Sequence, residues 1–468
     1  MIFVVFSNLG YMDKGRLSAT FFSVVHAADT TEQTNDDTPM YKDLSRIGNF
    51  QTYIIEKIYT ENLNTLLKES IKNSYKINAQ IYELKSQELL YDASRNYYIP
   101  SAALNSEYQR KIYKKPNPTR ADDLNIELSA SMKVWSNNVT DLKNSAYYSL
   151  ISERENYNQI VNNIYSTIIS NVLKIELART FLDSGEQYRA RMHKLVERMN
   201  SAVSTGLLKK SDRLFADISI KKFEDSVLNV RSQIEVFKNT INNIAANEIY
   251  NDNYGVSQQY IIEMLEIPDS MFLMDNVVKN NFDIRARKAK LLSDKLSALG
   301  TNEDIKAEIV TNHKVKGTIP VGNDRFASYV YDSEDDSYFG FKLTFTGLNY
   351  ANYKQKKSAI ELVTKQLIEL DEFLYQTTIN LGVLKEQYSL LKDRLNNIDN
   401  QIVLTLNVIN SLLQEVLVDE SNTLDIFRNV SSISDLEINR LAIQNQLVDL
   451  ATQIYALNAA VPDEFIID

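Results

Sequence analysis

The sequence predicts a mixed α+β fold that is mostly α-helical, with long coiled-coil helical hairpins arranged as a tandem structural repeat. Three observations predict this class. The 468 residues include only 12 Gly and 7 Pro, and nearly all of these fall between long stretches of helical periodicity. Two pairs of segments alternate apolar and polar residues as β-strands do. Much of the pattern then recurs at an offset of 213 residues.

Composition excludes several classes of function. Apolar residues make up 44% of the chain, so it can bury a core and is not disordered throughout. The lack of cysteine excludes a disulfide framework, a thiolate metal site, a cysteine nucleophile and a lipidated cysteine. The net charge of −10 argues against nucleic acid as the main partner. No nucleophile–base constellation or phosphate loop occurs, so we predict no enzyme, no catalytic residue, no cofactor and no metal site.

The N-terminal segment resembles a secretory signal peptide. Lys14 and Arg16 precede a short apolar stretch, and Val25 and Ala27 fit a cut before Ala28. We therefore predict a signal peptide over residues 1–27 and a polar N-terminal arm over 28–54. The simpler alternative for 1–27 is a disordered tail.

The repeat is clearest in the helix that ends each half. Eight apolar residues spaced 3-4-3-4 have equivalents 213 residues later, of which seven are apolar. The set is Ile220, Phe223, Val227, Val230, Ile234, Phe237, Ile241 and Ile244, and its equivalents are Ile433, Leu436, Arg440, Ile443, Leu447, Leu450, Ile454 and Leu457. Nearer the start of each half the offset is 207, which indicates an insertion in the second half. We predict repeat 1 over 55–248, a linker or equatorial segment over 249–270, repeat 2 over 271–460 and a C-terminal tail over 461–468.

Each repeat is predicted to run helix, strand, strand, long helix, tip turn, helix. In repeat 1 the elements are a helix over 61–97, strands over about 102–112 and 124–135, a long helix over 137–203 and a last helix over 211–248. In repeat 2 they are a helix over 275–299, strands over about 305–313 and 338–346 around a polar loop, a long helix over 349–417 and a last helix. The long helix of repeat 2 carries a heptad stripe, which predicts supercoiling against a partner helix.

The apolar faces of the predicted strands must be covered either by a protein core or by lipid. Leu128 and Phe341 lie on the apolar faces of their strands, while polar and charged residues lie on the opposite faces. Two hairpins do not form a stable sheet alone, and alternating segments of about ten residues are typical of a transmembrane β-barrel. Four strands are too few to close such a barrel, so several chains must contribute.

This order of elements, duplicated, resembles the TolC family of outer-membrane efflux and secretion channels over about residues 55–460. Three local features carry the resemblance. Residues 96–100, Asn-Tyr-Tyr-Ile-Pro, end a helix before the first strand, and residues 134–138, Val-Trp-Ser-Asn-Asn, connect the second strand to its helix. The tip turns at 205–212 and 418–427 are similar to the family's Gly-x5-Asp and Val-Gly-x3-Thr-Leu-x-Asp-Val-Leu turns.

The resemblance implies a homotrimer in the bacterial outer membrane. Four strands per protomer would form a 12-stranded transmembrane β-barrel in lipid, and the helices would form an α-barrel across the periplasm. Its tips would dock with a periplasmic adaptor (membrane fusion) protein, and an inner-membrane transporter of ABC type would drive the assembly. Because many drug-efflux members carry a lipidated cysteine that this sequence lacks, type I-like protein or peptide secretion is favoured. Multidrug or small-molecule efflux is the first alternative, and a soluble coiled-coil scaffold is the second.

The resemblance also implies which residues form the site at the helical tip. Asp425 matches an acidic position of the periplasmic gate, and Asp212 is its equivalent in repeat 1. Arg428 stands where a second acidic residue is common, and Asp419 replaces a glycine. The predicted adaptor-contact turns contain Gly206, Leu207, Leu208, Ser421, Asn422 and Thr423. A simpler role for Asp212 and Asp425 is to stabilise the first turn of a helix.

Overall fold

The computed structural model describes residues 61–109, 121–206, 208–250, 254, 256–301, 304–320, 335–346, 350–416, 423–462 and 466. The predicted signal peptide (1–27) and N-terminal arm (28–54) lie outside the described residues. Residues 110–112 of the first predicted strand and most of the predicted tail also lie outside them.

The described chain is mostly helical and contains a four-stranded sheet. The helices are α1 (Glu61–Asn73), α2 (Tyr75–Arg95), α3 (Val139–Ser204), α4 (Lys210–Ile244), α5 (Gln258–Leu265), α6 (Met274–Asn280), α7 (Phe282–Leu299), α8 (Tyr350–Val416) and α9 (Thr423–Leu457). The strands are β1 (Ser101–Gln109), β2 (Ala121–Ser136), β3 (Ile305–Pro320) and β4 (Asp335–Phe345). Within these residues no helix is both long and apolar enough to cross a membrane.

The helices before the strands are interrupted, which the sequence prediction missed. The expected helix over 61–97 divides at Ser74, and the expected helix over 275–299 divides at Asn281. Both residues have extended backbone conformations, with ψ of 124° and 120°. The Asn281 side chain accepts a hydrogen bond from the N–H of Ile284 at 3.0 Å, so it caps a new helix. Ser74 and Asn281 are equivalent residues at the offset of 207.

The strands are antiparallel in the order β1-β2-β3-β4, so the pairing of β2 with β3 joins the two halves of the chain. The predicted loop after 313 is partly wrong, because β3 continues to Pro320, which lies opposite Ala121. The alternation of polar and apolar residues in β3 continues through Lys314, Val315 and Lys316. These residues pair with the backbone of the long strand β2, and a pattern within β3 alone does not reveal that partner.

The two faces of the sheet differ in chemistry. Leu128 pairs with Leu104, Met132 with Ile309, and Ile309 with Phe341, so these apolar residues share one face. The opposite face carries charged and polar residues, among them Glu127, Lys133, Glu308, Lys314 and Lys342. A register shift between Lys133 and Trp135 places Trp135, not Val134, opposite Ala307 on the apolar face. Strict alternation along β2 from Leu128 and Met132 predicts Val134 at that place.

The long helices pack side by side in a layer that we call the helical wall. Near the sheet, α3 packs against α2 and α7, and α7 packs against α8. Towards the far end, α3 packs against α4 and α9, and α9 packs against α8. The order across the wall is therefore α2–α3–α7–α8 near the sheet. At the far end α3, α4 and α9 all contact one another, and α8 packs against α9.

The helical wall contains the hydrophobic core. Fully buried side chains come from several helices and include Leu66, Ile168, Ile175, Met192 and Phe427. The repeated stripes of α4 and α9 are buried or half-buried at every equivalent position. The predicted linker contributes as well, because α5 and the 3₁₀ turn Asp269–Phe272 bury Tyr260, Ile261, Met264 and Met271.

Helices α4 and α9 end in the same backbone geometry. Ala246 and Ala459 both have φ of 52°, a left-handed conformation that is unusual for a residue other than glycine. The N–H of Asn247 donates to Asn242 O at 3.2 Å, and the N–H of Ala460 donates to Tyr455 O at 3.0 Å. The two donors are 213 positions apart and so are the two acceptors, so the two helix ends are equivalent.

Candidate functional site

The candidate site lies at the far end of the helical wall, where α3 turns into α4 and where α9 begins. Gly206 has φ of +76°, which a residue with a side chain adopts only with strain. Its N–H donates to Val203 O at 3.2 Å, and the N–H of Leu208 donates to Ala202 O at 3.2 Å. These bonds satisfy carbonyls at the end of α3, so the turn is a well-formed helix C-cap.

The predicted contact turns are only partly described. Gly206 is exposed and Leu208 is half-buried. Leu207, Asp419, Ser421 and Asn422 lie outside the described residues. Thr423 is the first residue of α9.

Both predicted gate carboxylates lie in the first turn of a helix. Asp212 is in the first turn of α4, and its N–H donates to Lys209 O at 3.0 Å. Asp425 is in the first turn of α9 and accepts a hydrogen bond from Arg428 Nη1 at 3.2 Å. Carboxylates at this position stabilise the helix dipole. Because the side chains of Asp425 and Arg428 are 53% and 57% exposed, their ion pair contributes little to stability.

An aromatic contact that the sequence did not predict joins the two tip helices. The rings of Phe215 on α4 and Phe427 on α9 lie edge to face, with centroids 6.5 Å apart. Phe427 is fully buried, whereas Phe215 is half-exposed. The contact brings the second turns of α4 and α9 side by side. The only sequence signal was that Phe427 and Val430 extend the apolar spacing of α9 upstream of Ile433.

Arg440, the one polar residue in the repeated stripe, is paired across the wall. Its Nε lies 2.8 Å from Asp399 Oδ1 on α8, and its Nη1 lies 3.5 Å from Glu437 Oε2. These three charged side chains line a cavity of 470 Å³ between α3, α5, α8 and α9, and Phe181 and Leu447 line it as well. Burial, followed by the negative charge of Glu437, raises the pKa of Tyr188 beside this group.

In the part of the chain that the structure describes, no group of three or more His, Asp or Glu side chains is placed to hold a metal ion.

Comparisons with known proteins identify the fold. No family model matches the sequence, and no curated protein matches it. Solved structures do match. The outer-membrane channel OprN aligns with a TM-score of 0.68 at 12% identity, covering 88% of this chain and 92% of that chain.

Two further outer-membrane proteins align over similar lengths. The outer membrane protein VceC from Vibrio cholerae has a TM-score of 0.65 at 12% identity, covering 85% of this chain and 96% of that chain. The open state of the Neisseria gonorrhoeae MtrE outer membrane channel has a TM-score of 0.65 at 14% identity, covering 85% and 89%. The chain therefore has the fold of the TolC-family outer-membrane channels, which confirms at the level of the fold the resemblance seen in the sequence.

Proposed function

We propose that the chain is one protomer of a homotrimeric outer-membrane channel that serves as the exit duct of a tripartite pump and is not an enzyme. The observation that carries this proposal is the exposed apolar face of the sheet. Phe339, Phe341, Leu343 and Phe345 are 80%, 67%, 66% and 69% exposed. Soluble monomeric proteins rarely expose an apolar patch of this kind, and such a patch marks a surface that contacts another protein or a membrane. The alternation of apolar and polar residues along the strands favours contact with lipid.

The open edges of the protomer support assembly into a ring. Strands β1 and β4 each have one neighbour within the described sheet, and the helical wall has α2 and α4 at one edge and α8 at the other. Apolar side chains are exposed on both edges, including Leu214 and Ile218 on α4 and Leu404 and Val408 on α8. The edges differ, so copies would associate head to tail, and three copies would close a 12-stranded barrel and an α-barrel.

A tandem duplication would explain the internal symmetry of the protomer. Helices α3 and α8 have 66 and 67 residues, and α4 and α9 each have 35. The matching helix breaks at Ser74 and Asn281 and the matching left-handed caps at Ala246 and Ala459 support the same origin.

In the proposed trimer, the helical tips form the periplasmic gate and the adaptor contact. Three copies of Asp425 near the channel axis would attract cations, and Arg428 would partly neutralise each copy. Asp212 and Asp419 would add to the same acidic ring. The turns at Gly206, Leu207 and Leu208 and at Ser421, Asn422 and Thr423 would face the adaptor, which connects to an inner-membrane ABC-type transporter.

Bilayer recording tests the channel and its gate. We expect trimers reconstituted in planar bilayers to conduct and to prefer cations. The Asp425→Ala variant should show a reduced cation preference and weaker block by multivalent cations, and the Arg428→Ala variant should shift selectivity the other way. A protein that stays out of the outer-membrane fraction and forms no channels would contradict the proposal and favour the soluble scaffold. Unchanged ion selectivity in both variants would show that Asp425 only stabilises the start of α9 and does not form the gate.

The cargo that we propose is a protein or peptide exported by a type I-like system, and multidrug or small-molecule efflux is the alternative. Deletion of the chain separates them. Loss of a secreted protein with unchanged drug susceptibility supports the first, and increased drug susceptibility with an unchanged secretome supports the second.

A further inference from the structure

The far end of α3 carries a row of cations on its free face. Arg191, Lys194 and Arg198 are all exposed and follow the i, i+3, i+7 spacing of one helix face. The row is about 10 Å long at 1.5 Å per residue. The opposite side of the same segment is apolar and buried, and it includes Met192, Val196 and Met199. This packing fixes the position of the helix that carries the row.

Among the described residues, no carboxylate of this hairpin forms an ion pair with the row. Glu186 pairs with Arg189 at 2.7 Å, and Lys221 pairs with Glu224 at 2.7 Å. Asp217 lies 3.7 Å from Arg213. Arg191, Lys194 and Arg198, by contrast, form no ion pair with another described residue, and Glu197 is the only acidic residue between 187 and 205. Lys209, Lys210 and Lys222 extend the positive charge around the tip and are also exposed.

The row does not lie at an edge where a second copy would pack. Near the tip α3 packs against both α4 and α9, which also contact each other through Phe215 and Phe427, and the open edges belong to α4 and α8. A neighbouring protomer on those edges would leave the free face of α3 uncovered. The row therefore suits a different molecule, and its heptad-like spacing suits a helix with carboxylates at matching intervals.

We propose that the Arg191–Lys194–Arg198 face is a docking surface for an acidic helical segment of a partner protein. The proposal rests on the proposed function, because it gives the chemistry of the protein that meets the tips of the channel. Exposed charge pairs steer association and set specificity more than they add affinity, so this surface would select among otherwise similar helical partners.

The test uses the full-length protein in detergent and a defined probe. The probe is a helical peptide of about 20 residues with glutamates on one face, and its control carries glutamines there. We expect the protein to bind the glutamate peptide about tenfold more tightly than the glutamine peptide at low salt. The triple variant Arg191→Gln, Lys194→Gln, Arg198→Gln should lose that preference, and the charge-preserving variant Arg191→Lys, Lys194→Arg, Arg198→Lys should keep it.

A matched control removes the same charge elsewhere. Lys354→Gln, Lys356→Gln, Lys357→Gln on α8 near the sheet should leave peptide binding unchanged. Equal binding of both peptides, or undiminished binding by the triple glutamine variant, would overturn the proposal. Retention of the wild type but not the triple variant on phosphatidylglycerol vesicles, without peptide preference, would assign the row to a membrane surface instead.

Bilayer recording separates this proposal from the proposed function. Channels of the triple glutamine variant should keep the ion selectivity of the wild type, and a change in anion permeability would place the row in the lumen and overturn the docking surface. A wild-type protein that forms no channels but binds the glutamate peptide through the row would contradict the proposed function and retain the docking surface.

Discussion

The sheet and the helical wall place their apolar residues in opposite ways. In the wall, large side chains such as Ile168, Met192 and Phe427 are fully buried within one chain. Among the sheet residues whose burial the structure describes, only Ser136 and Ala307 are buried, while Phe339 and its neighbours are exposed. The wall therefore has a hydrophobic core of its own and leaves apolar side chains such as Leu404 exposed along its edges. The sheet has almost no core within one protomer, so its apolar face depends entirely on what surrounds it.

The largest effect should come from breaking the core of the wall. Phe427→Ala removes a fully buried ring and should reduce stability by about 3–5 kcal/mol in the helical region. Phe215→Ala, at the other side of the same contact, should lose less because Phe215 is 46% exposed. Thermal unfolding of the helical circular dichroism signal in detergent measures both. Equal losses would mean that the tip is not packed as described.

The next effect concerns the apolar face of the sheet. Leu128→Arg should impair membrane assembly, because arginine on a lipid-facing strand costs about 2–4 kcal/mol per protomer at mid-depth. Phe341→Arg should act in the same direction. Ser129→Arg, one residue along on the polar face, is the matched control and should be tolerated. The yield of heat-modifiable trimer in the membrane fraction is the readout. If Leu128→Arg and Ser129→Arg behaved alike, the assignment of the two faces would be inverted.

A smaller effect should appear at the edge of the wall. Leu404 on α8 is 64% exposed, and Leu404→Asp should weaken the trimer by about 1.5–3 kcal/mol per interface without unfolding the helices. Asn407→Asp adds the same charge to the exposed surface of α8 and removes no apolar area. Concentration-dependent dissociation in detergent distinguishes them. A trimer that tolerates Leu404→Asp would show that this part of α8 is not an interface.

The smallest effect concerns the repeated caps. Ala246→Gly and Ala459→Gly should each stabilise the protein by about 1 kcal/mol, because glycine relieves the left-handed strain. Ala245→Gly, where φ is −76°, should destabilise by about 0.5–1 kcal/mol. Thermal midpoints of the three variants provide the test. Opposite effects at Ala246 and Ala459 would argue against equivalent roles for the two caps.

Features with a local period were predictable from the sequence. The stripes of α4 and α9 and the alternation of β2 and β4 follow from spacing alone, and they led to the correct fold. The helix breaks at Ser74 and Asn281 were not predictable, because single polar residues without Gly or Pro do not interrupt a periodic pattern. The sequence prediction ended β3 too early, at residue 313, because Gly317 and Pro320 indicate a loop when the partner strand β2 is not considered.

The candidate site was less predictable than the fold. Residue positions at the tip followed from the turn motifs and the repeat, but Phe215 and Phe427 meet only through tertiary packing. Arg440 interrupts the apolar stripe of α9, and its ion-pair partner Asp399 lies on another helix, so the sequence did not predict the pair. Contacts between helices that are distant in sequence leave no periodic signal in either helix.

The native mass of the full-length protein in detergent, combined with its solubility after detergent is removed, shows whether the protein needs lipid and partner copies to cover its sheet. We expect a homotrimer that requires detergent or lipid, because no described residue covers the exposed apolar face of the sheet. A monodisperse monomer that stays in aqueous buffer without detergent would contradict the account.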